Sequence, residues 1–216
     1  MNDINHHLTD ALLMGYSAGT LPEAFSLVVA SHISLCDECR ARLESFDAVG
    51  GAVLERSGRV AMDDGALEAC LGRIANADWA PTRTVAKAVG SDLPEPLTSY
   101  VGGGLGEVRW RKIGGGVSQA VLKTSKGATA RLLHIPAGRQ LPDHGHQGTE
   151  LTLVLKGAFR DEEERFGAGD IEVADQHLTH KPVAEEGEDC ICLAATDAPL
   201  RFSTMLPRLV QPFFKI

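Results

Sequence analysis

His32, Cys36 and Cys39 stand at i, i+4 and i+7, a spacing that puts all three on one face of a helix. Thiolate sulfur and imidazole nitrogen are the donors that tetrahedral zinc prefers, so this segment offers three of four ligands. The fourth is expected from the His6-His7 pair at the front of the chain. His7 is the preferred donor, because it abuts the apolar periodicity that begins at Leu8; His6 is the alternative. If the first helix runs antiparallel to the second, its start lies beside the triplet at the second helix's end. Two other readings compete: a redox dithiol built on Cys36-x2-Cys39, and a solvated histidine pair over two small core thiols.

A second set of donors lies further on. Gly138-x5-His144-x-His146-x3-Glu150-x6-Gly157 matches the first motif of the cupins at every fixed position. His144 and His146 are two apart, so on a strand both point to one face, the barrel interior. Glu150 adds an oxygen donor from the start of the next strand. The second cupin motif is degenerate: Gly169-Asp170 is followed ten residues after that Asp by His180, with Asp175, His177 and Ala184 where the pattern has Pro, Gly and Asn. His180 is the fourth ligand by register and His177 the alternative. Three His and one Glu suit zinc, iron, manganese, nickel or copper. The set leaves open a metal-dependent cupin enzyme, a dioxygenase or isomerase, although fold does not fix function and Asp143 reads as a loop carboxylate rather than a catalytic base.

Cys190 and Cys192 are two apart in a strand-like run and project together to one face. They fill a barrel core as small apolar groups or react with oxidants. Cys70 stands alone and is expected to be a small core residue.

These side chains need two kinds of scaffold. Residues 1–80 read as helices. Leu8, Leu12 and Leu13 recur at helical spacing after a possible Thr9 cap, and Thr20-Leu-Pro-Glu23 reads as a helix start with Thr20 as N-cap. The run from Ala24 is apolar on most sides and either continues through Arg42 or ends near the cysteines and restarts. Leu43–Leu54 and Ala66–Ile74 complete the set, despite Gly50-Gly51. Residues 81–98, with Pro81, Pro94 and Pro96, read as a linker. From residue 99 to 216, short β-rich runs alternate with turn residues: Val108–Ile113, Ser118–Thr124, Ala128–Ile135, Glu150–Leu155, Ala158–Arg160, Ile171–Val173, Cys190–Ala194 and Leu200–Met205. The expected fold is multidomain α + β: an all-α bundle followed by an all-β cupin barrel.

The charge is −8 over 216 residues, which argues against direct DNA binding. It is uneven: residues 1–80 hold 12 acidic and 5 basic side chains, net −7. An acidic front half suits a basic protein partner. An odd count of five cysteines argues against a disulfide framework. No apolar run approaches the ~20 residues of a membrane span, and the first residues lack a signal-peptide pattern, so a cytoplasmic location is expected.

His32-x3-Cys36-x2-Cys39 with an upstream His resembles the zinc-binding anti-sigma domain. The fuller pattern resembles the ChrR-type anti-sigma factors: His6-His7-x2-Asp10-Ala-Leu-Leu13, Tyr16-x-Ala-Gly-Thr-Leu21, Leu35-Cys-Asp-Glu-Cys-Arg40, Ala194-Ala-Thr-Asp-Ala-Pro-Leu-Arg-Phe, and the tail Gln211-Pro-Phe-Phe-Lys-Ile. The resemblance implies a helical module that sequesters an extracytoplasmic-function-type sigma factor in a 1:1 heterodimer and masks its polymerase-binding surfaces. It implies zinc on His7, His32, Cys36 and Cys39, and a second zinc on His144, His146, Glu150 and His180. It also implies release of the sigma factor under singlet oxygen or organic hydroperoxide stress, with Cys190 and Cys192 as possible redox residues and no enzymatic activity.

Overall fold

The computed structural model describes residues 4–77 and 92–202. Within them, the helices are α1 (Asp10–Ser17), α2 (Glu23–Ile33), α3 (Asp37–Arg56), α4 (Ala66–Asn76) and α5 (Glu95–Val101). The strands are β1 (Arg111–Gly114), β2 (Val117–Val121), β3 (Thr129–Ile135), β4 (His144–His146), β5 (Glu150–Lys156), β6 (Ala158–Arg160), β7 (Arg165–Gly167), β8 (Ile171–Ala174), β9 (Thr179–His180), β10 (Val183–Ala184), β11 (Cys190–Thr196) and β12 (Leu200–Phe202). Helices come first and a cupin-like barrel of antiparallel strands second, as the sequence pattern predicts. Residues 81–91 of the expected linker, the end of the run Leu200–Met205 and the tail Gln211–Ile216 lie outside the described residues.

Local chemistry sets the helix boundaries. Thr9 caps α1, its side chain accepting from the Leu12 amide at 3.3 Å. Thr20 does not cap α2, contrary to expectation; its hydroxyl donates to the Gly15 carbonyl at 3.1 Å and closes the end of α1. Pro22 takes the N-cap position instead, because its fixed φ and missing N–H suit a helix entrance. The segment from Ala24 does not run on through Arg42: α2 stops at Ile33 and α3 starts at Asp37. Cys36 is the N-cap of α3, its Sγ accepting from the Cys39 amide at 3.4 Å. The His-Cys-Cys triplet therefore straddles a helix–helix corner rather than one helix face. α5 lies partly inside the expected linker; Pro94 at its N-cap and Pro96 in its first turn are helix-start chemistry.

The six-stranded sheet runs β1-β2-β3-β11-β5-β8, with two three-stranded sheets, β10-β6-β7 and β12-β4-β9. Side chains alternate across the large sheet. One face presents Leu132, Leu151, Leu153, Ile171, Leu193 and Ala195, which join Leu8, Leu13, Val28, Val29 and Leu43 in one hydrophobic core. The other face presents Leu133, Val154, Cys190 and Cys192, packed with Phe159 and Phe166 inside the barrel. α2 is apolar nearly all round, burying Phe25, Leu27, Val28 and Val29, because it lies between the other helices and this sheet. The helical module and the barrel are thus packed on each other, and Leu93 and Leu97, just before and within α5, belong to the same core.

Candidate metal centres

Three segments converge on the first cluster. α2 ends with His32, the corner supplies Cys36 and Cys39, and the chain before α1 supplies His7. Their donor atoms all lie within 4.8 Å of one another. His32 Nε2 is 3.3 Å from Cys39 Sγ, and His7 Nδ1 is 3.3 Å from Cys36 Sγ and 3.7 Å from Cys39 Sγ. Zinc bonds of ~2.0–2.1 Å to nitrogen and ~2.3 Å to sulfur put tetrahedral N···S edges at about 3.6 Å, so the residues fit a single ion. His6 does not join the cluster. It packs on Phe166 and reaches Asp170 and Glu164, each at 3.4 Å.

Burial holds His32 in its neutral, metal-ligating form, lowering its pKa to about 4. Burial also pushes the Cys39 thiol up to about 11. A bound cation offsets that penalty, since a coordinating thiol is deprotonated. The outer ring nitrogens are held as well: His7 Nε2 is 3.4 Å from Glu38 Oε2, and His32 Nδ1 is 3.0 Å from the Gly169 carbonyl oxygen. Such outer partners fix ring orientation and tautomer in metal sites.

The second cluster lies inside the barrel. β4 pairs with β9 so that His144 faces His180, and His146 projects on the same side of β4. His144 Nε2 and His180 Nε2 are 3.3 Å apart, and His146 Nε2 and His180 Nε2 3.4 Å. Nitrogens on a tetrahedral zinc are spaced about 3.3 Å. All three rings are buried. Glu150 is buried beside them; Thr152 donates to its Oε1 at 3.2 Å, and its Oε2 lies 3.9 Å from His146 Nδ1. Glu150 therefore borders the three-histidine cluster without entering it in this side-chain position. His177 is exposed and outside the cluster. Gly157 follows β5 with φ +69°, and a Cβ there would meet the Asp189 carbonyl at 2.6 Å, which explains the final glycine of the motif.

Burial lowers the pKa of His146 to about 4 and also lowers that of His144. At His180 burial pulls the same way, but Glu172, Glu150 and Asp161 outweigh it and raise the pKa. His180 Nδ1 lies 3.0 Å from Glu172 Oε1 and 3.6 Å from Asp161 Oδ2; His144 Nδ1 donates to the Pro142 carbonyl at 2.9 Å. The outer partners Glu38, Gly169, Asp161 and Glu172 carry no spacing signal and escape sequence reading. Glu172 alone has a hint, an acidic side chain in an otherwise apolar strand.

Cys190 and Cys192 are buried, their Sγ atoms 3.5 Å apart. Cys192 is raised well above the ordinary thiol value by its hydrogen bond with Cys190 and by burial. Cys70 is not a core residue: it is exposed on α4, a helix with no buried residue.

Comparison with known proteins agrees with this architecture. Residues 102–199 match the ChrR cupin-like domain family. The chain is 60% identical over 213 residues to the anti-sigma-E factor ChrR of Cereibacter sphaeroides, covering 99% of both chains. It is also similar to a chain in the crystal structure of Rhodobacter sphaeroides SigE in complex with the anti-sigma ChrR, at 58% identity and a TM-score of 0.80, covering 90% of this chain and all of that one. With a His/Cys cluster in the helical part, a cupin-like barrel and full-length similarity together, the chain belongs to the family of ChrR anti-sigma factors.

Proposed function

We propose that this chain binds and inhibits an extracytoplasmic-function-type sigma factor in a 1:1 complex, in the cytoplasm, and releases it under oxidative stress. The inhibitory module is residues 1–80, and the sensor is the cupin-like domain at 99–216. Zinc occupies both centres: His7, His32, Cys36 and Cys39 in the first, and His144, His146, His180 and Glu150 in the second. When bound, it supplies charge and fixed tetrahedral geometry.

The observation that carries the inhibitory half is α4. It buries none of its own residues, and Leu67, Leu71 and Ile74 are each more than half exposed. They stand at i, i+4 and i+7, one continuous stripe. Val49, Val53 and Leu54 on α3, with Val60 and Met62 in the connection, extend the exposed apolar surface. Surfaces of this kind mark protein docking sites. The acidic front half complements a basic partner, and the SigE complex of the ChrR relative supplies the partner class. No helix among the described residues is long and apolar enough to cross a membrane.

The first zinc ties the entrance of α1, the end of α2 and the start of α3, and so fixes the direction in which α3 leaves the corner. The sensing half draws on the adjacent thiols Cys190 and Cys192, buried in the barrel. An organic hydroperoxide would convert the two thiols to a disulfide, giving the alcohol and water. The test is co-expression of the full chain with a sigma factor of this type, followed by transcription assays: a 1:1 complex that blocks transcription is expected, and separate elution with no inhibition would refute the proposal.

A further inference from the structure

Strand β8 and the turn before it touch both metal centres. The Gly169 carbonyl oxygen lies 3.0 Å from His32 Nδ1. Asp170 Oδ1 accepts from the backbone amides of Asn5 at 2.7 Å and His6 at 3.0 Å, while the Gly167 amide donates to its Oδ2 at 2.8 Å. The Ile171 amide donates to the His6 carbonyl at 3.3 Å. Gly169 has φ +97°, and a Cβ there would lie 2.7 Å from the Ile4 side chain. These contacts pin residues 4–6 to the barrel, and His7 follows directly. Two residues past Asp170, Glu172 places Oε1 3.0 Å from His180 Nδ1. Asp170 and Glu172 are both buried.

Resting on the metal reading above, we infer that Asp170 and Glu172 are positioning residues, one for each metal centre, and that β8 couples the two centres. Asp170 holds the segment that presents His7. Glu172 holds the His180 ring with Nε2 toward His144 and His146. A change at His180 moves Glu172 and is passed along two residues of strand to the segment holding His7 and His32. This gives the sensor a rigid route to the zinc of the inhibitory module, because packed elements transmit displacement rather than absorb it.

Cobalt substitution reads the first centre selectively, since its thiolates give charge-transfer bands that a histidine–carboxylate site lacks. The experiment follows loss of those bands to a chelator in the full chain. Asp170→Asn is expected to speed loss at least about threefold. Glu172→Gln, which touches only the barrel centre, is expected to do the same, with Glu172→Asp closer to wild type. Emptying the barrel centre by His144→Ala supplies a second route if Glu172→Gln does not fold. Wild-type rates in both Glu172→Gln and His144→Ala would overturn the coupling. Two metals per barrel, with Asp161, Glu172 and His180 as a further site, would overturn the positioning role of Glu172. Absence of the thiolate bands in wild type would instead refute the underlying metal reading.

Discussion

His32, a donor of the helical cluster, is oriented by Gly169 of the barrel: imidazole Nδ1 and carbonyl oxygen are 3.0 Å apart. One ring of the helical cluster is thus held by the barrel. Cys36 and Cys39 sit at the same corner, where Cys36 also caps α3. Cys36→Ser or Cys39→Ser should remove one zinc per chain and abolish sigma binding. Structural zinc contributes roughly 10 kcal/mol or more to small modules, so helical signal should melt well below the wild type. Metal analysis with circular dichroism checks this; a Cys39→Ser chain retaining its full zinc content would count against the assignment.

The α4 stripe allows binding to be separated from folding. Leu71→Glu changes a side chain that is 55% exposed on a helix with no buried residue, so stability should change by no more than about 0.5 kcal/mol. Sigma affinity should fall at least about tenfold, or ~1.4 kcal/mol. Calorimetry on the purified variant measures both.

Acid should destabilise the metal-free chain through His32 and His146. Both have pKa values lowered to about 4 by burial, against ~6.5 unfolded. The unfolded state therefore takes up protons first, and their contribution, complete above pH ~6.5, is lost as pH falls toward 4. His180 has the opposite sign: its raised pKa stabilises at low pH and fades as pH rises through the folded value. Melting temperatures of metal-free protein between pH 4 and 8 should fall on the acid side, and Glu172→Gln should weaken the opposing trend.

Sequence spacing pointed to the histidines and cysteines that the structure gathers into two clusters, because ligand chemistry restricts residue type. His32, Cys36 and Cys39 are local in sequence, and His144 and His180 meet through the β4–β9 register, whereas His7 comes from the separate segment before α1. What spacing missed is long-range. Nothing near Gly169 or Asp170 announces a contact with residues 4–6 and 32, more than 130 positions away, since backbone acceptors are present at every residue. Thr20 failed as a cap because Pro22 competes for the same entrance. Cys70 failed as a core residue because α4 buries none of its residues.

Oxidation is expected to act through Cys190 and Cys192, whose sulfurs are 3.5 Å apart. The double variant Cys190→Ala/Cys192→Ala should bind the sigma factor normally and release it more slowly than wild type under organic hydroperoxide. Fluorescence-monitored dissociation of the complex gives the rates, and equal release from both proteins would remove the thiols from the mechanism.

Masking of the sigma factor is expected to depend on zinc. Co-expression of the full chain with an extracytoplasmic-function-type sigma factor, followed by light scattering and metal analysis of the purified complex before and after chelation, tests it most directly. A 1:1 complex carrying two zinc ions, which dissociates when the thiolate-bound zinc is withdrawn, is the predicted result. A complex that forms and persists without zinc, or no complex at all, would contradict it.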